Sequence, residues 1–283
     1  MKIFLVSFLL SMTYFILSFI VYFISYRKLK LPDLFDIKSA LLGLLASFAL
    51  LSFFFFILDM FPGKSIEESI LNIIVFLLIS IFPTYEYFIQ PLFLLYSNDL
   101  DRRKEYEQEF SFLKGYKVFI SQKNFANAFA LGIIPSTKAI ILSQDIVENL
   151  NADEVKAILA HEAGHLKKNH IFKLYIISLI GLLFGYLTSF YFYPIIDEYP
   201  EYIHLLRGLH AGFFYALPIW FLTSFSQRFF EYEADRYASR KTSEKATIDA
   251  LERLDILSKG KLSSGGLTHP RLKERIQNIL KDL

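Results

Sequence analysis

NADEVKAILAHEAGHLKKNH, residues 151–170, is the stretch on which the fold turns. Asn151 precedes Glu154 by three positions, the spacing of a capping box, in which each side chain accepts the other's backbone N–H. Val155, Ile158 and Leu159 follow at helical intervals, so a helix starts here. On that helix His161 and His165 stand at i and i+4, one above the other, where two imidazoles can grip one zinc ion. Glu162 lies about 100° round the helix from His161, within reach of an activated water without being a ligand itself. Small Ala163 and Gly164 leave room at the metal face. Zinc brings the pKa of a water towards about 7, and a carboxylate placed like Glu162 takes its proton as the water attacks a peptide carbonyl.

Directly downstream the chain turns apolar. A bilayer-crossing helix needs about 20 such residues, and Ile171 to Tyr193 supplies them, as do Ile3–Tyr26, Ala40–Leu58, Ile70–Tyr96 and Leu205–Phe225. Five spans are expected. A composition 54% hydrophobic, with a mean hydropathy of +0.38, lies above that of an average soluble domain and agrees with this. The first span runs without a charge to Arg27, Lys28 and Lys30 and has no small-residue cleavage site, which favours a retained anchor. The third is broken by Pro83 and Pro91 with Glu86 and Gln90 between them; it either ends early or lines a wet cavity, or Glu86 simply reaches the interface.

Lys and Arg set the orientation. The first loop holds Arg27, Lys28, Lys30 and Lys38, the loop around Pro62 holds Lys64, and Pro194 to His204 has neither type. The first loop is then inside and the N-terminus outside. Arg102–Asn169 and Gln227–Leu283 share the cytoplasmic side, and a prokaryotic inner membrane is the expected location. A net charge of +2 offers no basic stripe, so nucleic acid is not an expected partner. There is no cysteine, so transition-metal ligands must be His, Asp or Glu.

Upstream of the zinc helix, Tyr116–Ile120, Ala126–Leu131 and Lys138–Leu142 are rich in branched and aromatic residues, with Gly115, Asn124, Gly132 and Pro135 between or beside them. They read as a small antiparallel sheet. Far downstream, Gly260–Thr268 reads as a loop between two charged helices.

A catalytic zinc needs a third protein ligand and an open position. A third His after a downstream Gly is one source, but the Gly position is Lys168 and the His position Ile171, with His170 one residue early. The other source is a Glu from a second helix. In RFFEYEAD, residues 228–235, Glu231 and Asp235 share a face: Glu231 can bind zinc while Asp235 accepts the free ring N–H of a ligating His, and Glu233 points elsewhere. The same spacing also describes a solvated acidic face at a membrane exit. Two whole spans separate the motifs, the even number needed to bring the chain back to one side.

From about Asn124 to Leu283 these motifs resemble the integral-membrane gluzincin endopeptidases that include the HtpX heat-shock protease and the type I CaaX prenyl protease. NAFALG from Asn127 looks like that family's strand beside the substrate, HEAGHLKKNH like its zinc helix with His170 closer to the CaaX form, and EYEAD like its third-ligand helix. THPRLKERI carries His269, Pro270 and Arg275 of its closing motif, with Arg271 where a second proline is frequent. The resemblance implies a mainly α-helical multi-pass membrane protein, about five transmembrane helices with a zincin-like catalytic domain containing a small β-sheet. Its segments would be 1–96, three spans; 97–170, the sheet and zinc helix; 171–226, a transmembrane hairpin; and 227–283, the third-ligand segment. It implies one zinc per chain on His161, His165 and Glu231, with Glu162 as base and Asp235 behind the ligands. Asn127 and Ala128 would meet substrate, and His269 and Arg275 would stabilise developing negative charge. Without the family, His269 reads as a surface turn residue. The implied activity is hydrolysis of membrane-associated or misfolded polypeptides at the cytoplasmic face, in contact with the bilayer. A CaaX-type peptidase acting on lipidated peptides is the alternative within enzymes. An inactive membrane scaffold or chaperone is the alternative outside them, against which the intact His161, Glu162, His165 and Glu231 set argues.

Overall fold

The structure, a computed structural model, describes residues 83–95, 100–122 and 127–281. The expected spans Ile3–Tyr26 and Ala40–Leu58, most of Ile70–Tyr96, and with them most of segment 1–96 lie outside the described residues, as does Ala126 of the second expected strand.

Two compact units divide the described chain: Pro83–Ser178 with Leu222–Leu283, and Leu179–Phe221. The first opens with a π-helical turn, Tyr85–Ile89, running into α1, Gln90–Leu95. Then come β1 Leu100–Arg102, α2 Lys104–Glu109, β2 Lys117–Ser121, β3 Ala128–Leu131 and β4 Ala139–Ser143. α3 Gln144–Asn149 and α4 Ala152–Lys167 follow.

The sheet is mixed, in the order β1-β2-β4-β3, with β2 and β4 parallel and both outer pairs antiparallel. This corrects the antiparallel expectation, and the reason lies in burial. All five residues of β4 and four of five in β2 are buried, the continuous pattern of strands covered on both faces. The β3–β4 reversal depends on Gly132, whose φ of 87° and a would-be Cβ 2.1 Å from the Thr137 carbonyl oxygen admit no side chain. That reversal leaves β3 at an edge.

α5 His170–Ile196, α6 Ile203–Ala211, α7 Leu217–Lys241, α8 Glu244–Leu257, α9 Lys261–Ser264 and α10 Leu272–Leu280 complete the described chain. α9 places one helical turn inside the expected Gly260–Thr268 loop. α4 packs its Val155, Ile158, Leu159 and Leu166 into one core with Val118, Ile140 and Leu142 of the sheet and Ala250 and Leu254 of α8. Gly164 lets α4 and α7 meet closely: a Cβ there would lie 3.2 Å from Ala234 Cα and from Tyr237 Cβ.

Among the described residues, two helical runs are long and apolar enough to cross a membrane, His170–Ser189 and Ile203–Lys241. The second joins α6 to α7 through a π turn, Gly212–Ala216, and continues for 39 residues without stopping at Phe225. At 1.5 Å per residue that is about 58 Å, roughly twice a hydrocarbon core, so one helix carries both the apolar span and the acidic motif. In the 179–221 unit, Leu187, Tyr191, Phe213 and Phe221 are each more than half exposed. Its two helices interlock through glycines: a Cβ on Gly181 would lie 2.5 Å from Ile219 Cγ1, and one on Gly185 2.4 Å from Tyr215 Cγ.

Candidate metal centre

The capping box at the start of α4 is formed in both directions, Glu154 N–H to Asn151 Oδ1 at 3.0 Å and Asn151 N–H to Glu154 Oε2 at 2.9 Å. It fixes the phase of a helix on which His161 and Glu162 are buried and His165 is half-buried. His161 Nε2 and His165 Nε2 are 3.2 Å apart. Glu231 of α7 faces both, Oε2 3.6 Å from His161 Nε2 and Oε1 3.6 Å from His165 Nε2. A tetrahedral zinc with bonds of about 2.05 Å sets its ligand atoms about 3.3 Å apart. Three donors converging within 4.8 Å of one another therefore fit such an ion, and the N,N,O set suits it chemically.

The other nitrogen of each ring is tied from behind. His161 Nδ1 lies 2.9 Å from Asp235 Oδ1. Asp235 is wholly buried and held in a fork by Arg275, whose Nε donates to Oδ2 at 2.8 Å and Nη2 to Oδ1 at 2.6 Å. Arg275 Nη1 also stands 3.1 Å from Glu231 Oε2. The guanidinium is thus buried against two carboxylates. His165 Nδ1 meets His170 Nδ1 at 3.0 Å, and His170 Nε2 meets Glu233 Oε2 at 2.8 Å. Glu233 does leave the metal face, but it ends on a residue that touches a ligand.

These contacts order the charges. Burial alone would raise the Glu231 and Asp235 carboxyls, yet Arg275 beside them, with the imidazoles, holds both below the usual range. Burial would lower His161, but hydrogen bonds to Asp235 and Glu231 lift it to about 10. His165 is pushed down to about 3, by burial first and by His161 and His170 next to it, against the pull of Glu231. Glu162 is raised to about 7 by burial and by Glu231, against the pull of His161, Arg275 and the Ala130 N–H that its carboxylate accepts.

That last bond ties the base to the sheet edge. Ser143 N–H donates to the Asn127 carbonyl at 3.1 Å, so in the β3–β4 ladder Asn127, Phe129 and Leu131 form the hydrogen-bonded pairs. The N–H and C=O groups of Ala128 and Ala130 then point to the open edge. Asn127 is exposed at the start of β3, and Ala128 is buried. His269 sits at the rim, its side chain 59% exposed and its Nε2 3.6 Å from Glu231 Oε1. The loop bearing it is strapped to α7 by Arg228, which donates to the Gly266 carbonyl at 2.7 Å and to Glu274 Oε2 at 2.9 Å. Arg271 fills the expected second-proline position, and its N–H is accepted by Glu274 Oε2 at 3.1 Å.

Sequence reading gave no role to Glu233 or Ala130 and only a family likeness to His170. Their partners lie far off in the chain, and local spacing carries no sign of them.

Two imidazoles on one helix, a carboxylate from another and a buried acid beside an open strand edge are the makings of a metallopeptidase centre. The chain belongs to peptidase family M48, whose profile matches residues 98–282. It is 29% identical over 199 residues to CAAX prenyl protease 1 of Saccharomyces cerevisiae, covering 56% of this chain and 43% of that one. It is 29% identical over 188 residues to protease HtpX of Pseudomonas fluorescens, covering 54% and 61%. The crystal structure of S. mikatae Ste24p superposes with a TM-score of 0.59 at 25% identity, covering 86% of this chain and 64% of that one. The chain spans less than two thirds of the length of each of these relatives.

Proposed function

We propose that this chain is a membrane-embedded zinc endopeptidase acting on membrane-associated or misfolded polypeptides at the cytoplasmic face. The observation that carries the reading is the convergence of His161, His165 and Glu231 within 4.8 Å beside the buried Glu162. His161, His165 and Glu231 would hold the zinc. Bound there, zinc supplies Lewis acidity, activating a water and polarising the peptide carbonyl. Glu162, poised near neutrality, takes the proton of the attacking water and returns one to the leaving amine. Substrate lies extended along the edge of β3, pairing with the backbone of Ala128 and the carbonyl of Ala130 beside Asn127. His269 at the rim is placed to donate to developing negative charge, while Arg275 keeps Asp235 and Glu231 ionised and in place.

The two apolar helical runs, with spans expected among residues 1–96, support a multi-pass anchor. Similarity to CAAX prenyl protease 1 and Ste24p favours a second reading, a processing peptidase for lipidated peptides. Comparing a prenylated peptide with an unfolded membrane protein separates the two, since cleavage of the peptide alone selects the second. For the mechanism, Glu162→Gln is the test. Bound zinc should stay at one per chain while cleavage falls by about 10²–10⁴-fold; unchanged cleavage refutes Glu162 as the base and favours another group.

A further inference from the structure

The two ligand histidines are supported in different ways, and the difference assigns work to residues outside the metal cluster. His161 rests directly on a carboxylate. His165 rests on a second imidazole, that of His170, which is 1% exposed, stacked on the Phe230 ring at a centroid distance of 4.3 Å and an interplanar angle of 7°. Glu233 closes the row, with Lys173 Nζ 3.9 Å from its Oε2.

Hydrogen-bond chemistry permits one assignment of protons along this row. If His165 offers its Nε2 lone pair to a metal, its proton must sit on Nδ1. That N–H can only donate to His170 Nδ1, which must then be a lone pair, leaving the His170 proton on Nε2. This proton points at Glu233 Oε2, an acceptor at 2.8 Å. All the sites are satisfied with both rings neutral. A proton added at His170 Nδ1 would face the His165 N–H head-on.

Resting on the metal-site reading above, we propose that His170 and Glu233 form a relay that fixes the tautomer and ring angle of His165, making both of them positioning residues for the metal. Neither touches substrate or the ion. Glu233 acts only through His170, so the effects of removing the two are not additive.

The test uses the full-length, detergent-solubilised protein, stripped of metal and titrated with zinc against a chromophoric chelator, with cobalt(II) spectra of the reloaded site as a second readout. His170→Phe keeps a ring to stack on Phe230 but offers no acceptor. It should weaken zinc binding by about 10- to 100-fold and alter the cobalt visible bands. His170→Gln, whose amide oxygen can accept the His165 N–H, should restore most of that loss. Adding Glu233→Ala to His170→Phe should cost nothing further. Wild-type zinc affinity in His170→Phe overturns the proposal, as does a failure of His170→Gln to improve on it. If His170→Phe shows no cooperative thermal transition, half-exposed Glu233→Ala decides: a several-fold loss of zinc affinity supports the relay, and unchanged affinity overturns it. Glu231→Ala in the same titration tests the metal site itself, because retention of tight zinc there refutes that site whatever the relay variants do.

Discussion

The metal centre and the 179–221 hairpin solve opposite problems. In the first, His161, Glu162, Glu231, Asp235 and Arg275 are buried, and an ionised network forms the interior. In the second, phenylalanine, leucine and tyrosine face outward while glycines and Thr188 face inward, Thr188 Oγ1 meeting buried His210 Nε2 at 3.1 Å. Taking a charge out of water is tolerable only where every partner is fixed. Leaving large apolar surface exposed is tolerable only where the surroundings are themselves apolar. The difference teaches that precision in the centre comes from directed polar contacts and in the hairpin from shape.

The sharpest way to break this contrast is to remove one charge from the centre. Arg275→Ala leaves Asp235 and Glu231 buried without their guanidinium, and the protein should lose about 3–5 kcal/mol. Denaturant unfolding in detergent measures it. The Arg275→Ala/Asp235→Ala double variant should lose less than the sum of the two single changes, and strict additivity would show that the two do not act as a pair.

The matching change in the hairpin is steric. Gly185→Leu drives a side chain into the Tyr215 ring and should cost about 1–3 kcal/mol. Zinc stoichiometry and affinity should stay at wild-type values. A coupled loss of zinc would mean that shape in the hairpin reaches the ligands.

The mildest perturbation is one of pH. In the metal-free protein His161 carries its proton up to about pH 10, whereas ligation requires it neutral. Zinc binding therefore expels a proton, and affinity should rise about tenfold per pH unit between about pH 7 and 9. The same shift bears on folding. A folded pKa raised above the unfolded value of about 6.5 contributes stability fully present below that pH and lost as pH climbs towards about 10. Zinc titrations in buffers of differing ionisation enthalpy report the proton released, and a flat pH profile would remove the His161–Asp235 bond from the account.

Legibility in the sequence followed the range of the interactions. Asn151, Glu154, His161, Glu162 and His165 lie within four turns of one helix, so period and capping chemistry sufficed to place them. The apolar run from Ile171 was equally plain, because lipid imposes a composition as well as a length. The sheet was legible as three strands and illegible as a topology: LDR at 100–102 is too short and polar to announce β1, and parallel pairing of β2 with β4 has no local signature. The helix running on past Phe225 was hidden by the change from apolar to charged residues, which marks a change of medium and not of backbone. Arg275 was visible as a motif position, but its burial against carboxylates 40 residues away depends on packing. His170 and Glu233, 63 positions apart, meet only once α5 and α7 exist.

The unbroken run from Ile203 to Lys241 has a genetic consequence. Between Phe225 and Glu231 some positions can exchange letters, but the segment cannot change length. One inserted residue would swing Glu231 and Asp235 together by about 100°, taking both carboxylates off the histidines at once. That segment is a ruler whose graduations, more than its material, set where the acidic groups fall. Substitutions should accumulate at its positions other than Arg228, which holds the His269 loop, and Phe230, which stacks on His170, while single-codon insertions and deletions should be as damaging as loss of a ligand.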